Sequence, residues 1–191
     1  DMKKIYFQGT YGAYSHIAAQ NLNSIFITHK RYEEGIDFIE MRLSVQPNNY
    51  KLYSELGEYY YLNGQEDIAF SIWNDANIKF KSNRSYYRQM LTTYSKYGLD
   101  DSIDEILNSG RKRFGKAFLS YESGVYYQTK GAYDKSMDQF ILNLVHEPRQ
   151  AGMIERRILF INLNIARIGF IAFNFVKKRF YSRLDTIKQV Y

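Results

Sequence analysis

The chain has 191 residues, and 45% of them are hydrophobic, which predicts one domain or one repeat array with ample apolar side chains for a core. It contains no cysteine, which excludes disulfides, thiolate metal sites and cysteine nucleophiles. Charge is uneven: residues 1–150 carry 18 basic and 18 acidic residues, whereas residues 151–191 carry 8 and 2, so the formal net charge of +6 belongs to the last segment.

The amino-terminal segment, residues 3–22, contains Phe7-Gln8-Gly9, then Gly12-Ala13-Tyr14-Ser15 and Ala18-Ala19. It resembles the start of prephenate dehydratases, which implies a strand, a Gly-rich loop and a helix that open a catalytic domain. No Thr-Arg-Phe or Glu-Ser-Arg-Pro motif of that family follows. A fusion remnant, a mis-joined sequence, a protease-cleavage linker and coincidence are alternative explanations. We therefore expect residues 1–14 to be a leader, and a dehydratase fragment is the remotest functional alternative.

A period of about 34 residues organises the middle of the chain, and residues 50–83 are its clearest copy. In this copy apolar residues recur three and four apart, which predicts two amphipathic helices. Gly57 and Ala69 are small where the helices must approach closely, Trp73 fills the space beside them, and Gly64 predicts a turn with positive φ. Leu56, Tyr60, Gly64 and Trp73 recur one period later as Met90, Tyr94, Gly98 and Leu107, and again in the next copy as Ser123, Tyr127, Gly131 and Phe140.

This pattern of an aromatic residue, Leu-Gly, Tyr, a turn Gly, an Ala and a second large aromatic residue resembles the tetratricopeptide repeat. The resemblance covers residues 15–150 and implies an all-α fold, a right-handed superhelical solenoid of antiparallel helix pairs. Pro47, Gly115 and Pro148 mark the turns between repeats. The predicted repeats are residues 16–49, 50–83, 84–116 and 117–150, and the helices proposed for the first and third are 14–28, 31–45, 84–96 and 100–113.

Residues 151–191 are predicted to form a degenerate repeat and a basic amphipathic capping helix. The apolar run 158–176 is interrupted by Arg167 and three Asn, so a membrane span is a less favoured alternative. After it, cations lie between apolar residues that are three and four apart. These cations, the basic tail, are Lys177, Lys178, Arg179 and Arg183. They suit an anionic membrane, a nucleic acid or an acidic partner, and the alternative is the solvated outer face of a capping helix.

No catalytic, metal or cofactor-binding site is expected. The three histidines are far apart in sequence, without a His-Glu-x-x-His motif. Residues 110–116 imitate a phosphate-binding loop, but a helix is predicted before them and Ala117 stands where that loop needs a hydroxyl. We interpret them as an inter-repeat turn. The cluster Arg111, Lys112, Arg113 and Lys116 is then a solvated helix end, with an anion site as the less favoured alternative.

The tetratricopeptide resemblance implies a concave groove, lined by the first helix of each repeat, that holds a peptide or helix of a partner protein. A mixture of Tyr with Arg and Lys suits such recognition, and ordinary solvated surface is the alternative for each position. The Lys and Asn set by which chaperone-binding members hold a terminal carboxylate is absent. The groove positions in this sequence are Gln20, Ser24, Lys51, Ser54, Glu58, Tyr61, Arg88, Thr92, Lys96, Tyr121, Val125 and Gln128.

The sequence therefore predicts a non-catalytic scaffold or adaptor that binds another protein, with no small-molecule substrate. The alternative is a peripheral membrane or nucleic-acid tether that acts through the basic tail. No feature of the sequence assigns a compartment.

Overall fold

The computed structural model describes residues 13–168, with side chains from residue 17 to residue 161. This part of the chain contains nine α-helices and no strand, and each helix predicted for the first and third repeats agrees with an observed one to within one residue at both ends. The helices are α1 (Ala13–Thr28), α2 (Tyr32–Val45), α3 (Tyr50–Leu62), α4 (Glu66–Lys79), α5 (Arg84–Tyr97), α6 (Asp100–Phe114), α7 (Ser120–Thr129), α8 (Tyr133–His146) and α9 (Ala151–Ile168), with a 3₁₀ turn at Pro148–Gln150 before the last.

Within each part of the chain, several helices that follow one another pack together. The chain divides into two compact units, residues 1–89 and 90–191, and the division falls inside α5. In the first unit α1 packs on α2, α2 on α3, and α3 on α4. In the second, α7 packs on α8 and α8 on α9. The described residues therefore form a helical repeat-like array, which confirms the all-α prediction.

The turns inside the helix pairs share one backbone conformation. Gly64, Gly98 and Gly131 have φ of 77°, 66° and 72°. The amide of each donates to the carbonyl three residues earlier, and the next amide donates to the carbonyl five residues earlier, which is how a left-handed residue ends a helix. Lys30, one period before Gly64, has φ of 55° and the same two hydrogen bonds. The period thus extends to the first pair, where a lysine occupies the position of the glycine.

A glycine of the first helix meets an aromatic ring of the second in two of these pairs. A Cβ on Gly124 would lie 2.7 Å from Cδ1 of Phe140. A Cβ on Gly57 would likewise overlap the indole ring of Trp73. Each glycine precedes its aromatic partner by sixteen residues. The hydroxyl of Ser136 also donates to the carbonyl of Gly124 at 2.7 Å. The predicted close approach at Gly57 and Trp73 is confirmed, and it recurs between α7 and α8.

Each unit has a hydrophobic core of its own. In the first unit buried residues of α1, α2 and α3 form one cluster, which includes Phe26, Ile39 and Tyr59. In the second unit α8 and α9 share a cluster that includes Phe140 and Ile158. Full burial of side chains of this size contributes about 1.5–3 kcal/mol each, so apolar contact holds α9 on α8.

The carboxyl-terminal prediction is described only in part. Helix α9 lies within residues 151–191, the segment that was predicted to hold a degenerate repeat and a capping helix. Residues 169–191 lie outside the described part of the chain. Among the helices of residues 13–168, none has both the length and the apolar character that crossing a membrane requires.

Replacing Gly124 by alanine is expected to lower the free energy of unfolding by about 1–3 kcal/mol, because the added methyl group would overlap the Phe140 ring. Gly152 of α9 is the matched control, since a Cβ there meets no atom within 4 Å. Gly152→Ala should leave stability unchanged or raise it by up to about 1 kcal/mol. Urea denaturation of both variants, followed by circular dichroism, measures the difference, and equal effects would contradict close packing of α7 on α8.

Candidate interaction surfaces

The predicted groove residues of the first unit lie in different environments. Glu58 and Tyr61 are half-buried, and the ring centroid of Tyr61 lies 6.0 Å from that of Trp73 in α4. Ser54 is fully buried, so it cannot touch a partner in this conformation. The exposed positions are Gln20, Ser24, Lys51 and Arg88.

In the second unit the predicted groove residues divide between two helices. Thr92 and Lys96 of α5 are exposed. On α7, Tyr121 and Val125 are half-buried and pack against the core cluster of α8 and α9. Gln128 is buried, and its Nε2 donates to the carbonyl oxygen of Arg157 in α9 at 3.2 Å. Helix α9 therefore occupies part of the surface that was predicted to be open on α7.

Two predicted features fall wholly or partly outside the described residues. All four basic-tail residues, Lys177, Lys178, Arg179 and Arg183, are among residues 169–191, and most of residues 3–22 precede the described region. Their roles stay predictions. Among the side chains that the structure describes, from residue 17 to residue 161, there is no group of three or more His, Asp and Glu that could hold a metal ion.

A row of polar contacts that the sequence analysis missed joins three helices of the second unit. We call it the polar seam. It consists of Asp100, Asp104 and Arg111 on α6, Ser123, Tyr126 and Tyr127 on α7, Lys130 in the turn that follows α7, and Lys135 and Gln139 on α8.

Two tyrosine–aspartate hydrogen bonds form one end of the polar seam. The hydroxyl of Tyr126 donates to Asp100, and that of Tyr127 donates to Oδ1 of Asp104 at 3.0 Å. Nζ of Lys130 lies 3.6 Å from Oδ1 of Asp100 and 5.7 Å from the ring centroid of Tyr126. A cleft of about 300 Å³ opens here, and it is lined by Asp100, Asp104, Tyr126, Tyr127, Lys130, Ala132 and Lys135.

The protonation states at this end follow from burial and from the two hydrogen bonds. Burial, together with the bond to Asp104, raises the pKa of Tyr127 to about 12. Burial and the bond to Asp100 also raise the pKa of Tyr126. The hydrogen bond from Tyr126 lowers the pKa of Asp100, with a smaller contribution from Lys130. At neutral pH both phenols are therefore neutral donors, and Asp100 is a charged acceptor.

The other end of the polar seam is the guanidinium group of Arg111. Nη2 donates to Oε1 of Gln139 at 2.6 Å and to the hydroxyl of Ser123 at 3.3 Å, while Nε donates to the carbonyl of Phe118 at 3.4 Å. Burial lowers the pKa of Arg111, opposed by the nearby Tyr127 and Asp104, but arginine keeps its charge in proteins.

The prediction of a solvated helix end at residues 110–116 thus needs one correction. Lys112, Arg113 and Lys116 are exposed, as expected, but Arg111 is half-buried, and its guanidinium group is bonded to the turn after α6 and to α7 and α8. The physical reason is its place on the face of α6 that packs towards α7, where a long polar side chain must find acceptors.

The signal for the polar seam was present in the repeat register. Counted from the turn residues, Asp104 corresponds to Ile36, because each follows its positive-φ residue by six positions. By the same count Arg111 corresponds to Leu43, Ser123 to Leu56 and Gln139 to Ile72. In the first unit these four positions belong to the hydrophobic core or pack against it. Aligning the repeats position by position would therefore have shown that polar residues replace apolar ones at these four positions of the second unit.

Comparison of the chain with protein-family models, with curated proteins and with solved structures found no match. The resemblances of residues 15–150 and of residues 3–22 therefore rest on their own residues. The structure adds the recurring turns and the close-packed glycines, which follow the spacing of the proposed repeats.

The phenol of Tyr127 should ionise at about pH 12, because burial and the bond to Asp104 both favour its neutral form. Tyrosine labelled with ¹³C at Cζ reports this ionisation by NMR, and Tyr127→Phe assigns the signal. Since the unfolded pKa is about 10, this group's contribution to stability is complete below pH 10 and is lost as the pH rises to about 12. Between pH 10 and about pH 12 the wild-type protein should lose more stability than Tyr127→Phe. Ionisation of Tyr127 near pH 10 would contradict the burial of its phenol and its bond to Asp104.

Proposed function

We propose that this chain is a tetratricopeptide-repeat scaffold, non-catalytic, that binds a peptide or helix of another protein through exposed side chains of its first helices. The observation that carries the proposal is the turn that recurs at Lys30, Gly64, Gly98 and Gly131, at a nearly constant spacing along the chain. A right-handed superhelix with a concave groove is part of the proposal. The packing of neighbouring helices in chain order is compatible with it.

Binding by such a scaffold depends on preorganisation. The helix pairs bury their apolar faces against one another, so the surface exists before the partner arrives and the partner carries most of the ordering cost. Lys51 and Arg88 combine long apolar stems with cationic ends, and both are exposed, on α3 and on the part of α5 that belongs to the first unit. Because α9 packs against α7, we assign the partner to α3 and α5 rather than to α7.

The test is affinity capture from lysate of the source cells with three baits. One is the native chain, and the second carries Lys51→Glu and Arg88→Glu. The third is a control with Lys81→Glu and Lys112→Glu, which makes the same change in charge at exposed positions outside the first helices. We expect a protein that is recovered by the native and control baits and lost by the first-helix variant. The reason is that the introduced carboxylates repel the acidic groups by which a partner would bind Lys51 and Arg88.

Circular dichroism must first show equal helicity of the three baits, and the recovered protein is then produced and titrated in solution. A loss of affinity of about tenfold or more in the first-helix variant alone would support the proposal. The same set of proteins on all three baits would contradict it.

Tethering through the basic tail is the second candidate function, and the concentration of the whole net charge in residues 151–191 favours it. Vesicles with anionic lipid and a duplex oligonucleotide are the two probes. Reversal of Lys177, Lys178 and Arg179 to Glu should abolish binding to one of them, whereas reversal of Lys81, Lys112 and Lys116 should not. Equal binding by both variants would exclude the tail as the tether.

A further inference from the structure

The polar seam contains more positive than negative charge. Asp100 and Asp104 each accept a hydrogen bond from a tyrosine, and Asp100 also lies within 3.6 Å of Lys130. Against these two carboxylates stand three cations, Lys130, Lys135 and Arg111. The polar seam as a whole therefore carries one unit of excess positive charge at neutral pH.

Arg111 stands apart from the two lysines in its surroundings. The ammonium of Lys135 lies 5.4 Å from the ring centroid of Tyr127 and keeps an exposed position. The guanidinium of Arg111 is half-buried, and among the described residues its three acceptors are all uncharged: the amide oxygen of Gln139, the hydroxyl of Ser123 and a backbone carbonyl. These acceptors engage Nε and Nη2 and orient the guanidinium plane, while the nearby Asp104 favours its charge from a distance without a hydrogen bond.

The fold itself does not demand a charge at this place. The first unit builds the corresponding interface of α2, α3 and α4 with Leu43 where Arg111 stands and Ile72 where Gln139 stands. Partial burial of a charge that is hydrogen-bonded to no carboxylate costs stability, whereas an apolar residue of similar volume is often neutral or stabilising. An oriented arginine at a position where the first unit has a partly buried leucine is thus better explained by binding than by folding.

We propose that Arg111 is an anion-binding residue, which receives a carboxylate or phosphate group of a ligand that lies along the polar seam. Arginine suits this because its planar fork matches both groups and its charge does not depend on pH. Ser123 and Gln139 are positioning residues that hold the fork. Lys135 lies one helical turn before Gln139 on α8, and it adds a second cation from a different helix than the one that carries Arg111. The site is separate from the exposed first-helix residues Lys51 and Arg88, so it does not rest on the scaffold proposal.

The direct test follows the Nε–Hε resonance of Arg111 in ¹⁵N NMR while sodium phosphate or sodium acetate replaces sodium chloride at constant ionic strength. The resonance is assigned by its loss in Arg111→Lys. We expect a saturable shift with at least one of the two anions. Saturation with phosphate alone identifies a phosphate ligand, and saturation with acetate identifies a carboxylate. Absence of a saturable shift with both would overturn the proposal.

Two variants separate a specific site from general attraction to the basic cluster. Arg111→Gln should lower the affinity for the anion at least about tenfold, because it removes a charge-assisted hydrogen bond. The chemical shifts of the backbone amides of Ser123 and Gln139 report this affinity. Arg113→Gln removes the same charge from an exposed position two residues away and should leave the affinity unchanged. If Arg111→Gln does not fold, Arg111→Lys serves instead, since it keeps the charge but loses the planar fork. Equal affinity in the Arg111 variant and the wild type would refute the assignment.

Discussion

Close approach of the two helices in each pair is the constraint on which the rest of the structure depends. In two of the pairs a residue without a side chain stands where an aromatic ring crosses, at Gly57 with Trp73 and at Gly124 with Phe140. The pairs also require a short turn that enters the left-handed region, as at Gly64. Once the pairs are formed, their remaining apolar faces can be buried only on the next helix along the chain, so stacking in chain order follows.

The same constraint explains why the two units can differ chemically while they keep one geometry. Turns and close-packed glycines determine where the helices lie, and the residues between neighbouring pairs are then free to be apolar or polar. The first unit uses Ile36, Leu43 and Ile72 there, whereas the second unit uses Asp104, Arg111 and Gln139. A polar interface of this kind adds little to stability but orients charged groups, which is what recognition of a charged ligand requires.

Residues with a single physical role made much of the fold predictable from the sequence. A turn glycine and a large aromatic residue at the spacing of Gly64 and Trp73 indicate little besides a helix pair, so the pairs could be predicted from them. The burial of Ser54 and Gln128 could not, because it depends on which neighbour covers a helix face, and the period does not show that α9 packs against α7. Arg111 was missed because, taken alone, an arginine near a helix end is typical of solvated surface.

The measurement that tests this account most directly is the free energy of unfolding of a variant in which Asp104→Ile, Arg111→Leu and Gln139→Ile restore the apolar residues of the first unit. Tyr127→Phe is included, because Asp104→Ile would otherwise leave the Tyr127 hydroxyl without its acceptor. Ser123 is kept, because its hydroxyl lies 3.2 Å from the carbonyl of Ser120 and retains a partner. If the polar seam serves binding rather than folding, urea denaturation in chloride buffer will show a variant as stable as the wild type, or up to about 4 kcal/mol more stable. A loss of more than about 2 kcal/mol would show that the polar contacts hold the second unit together, and would contradict the account.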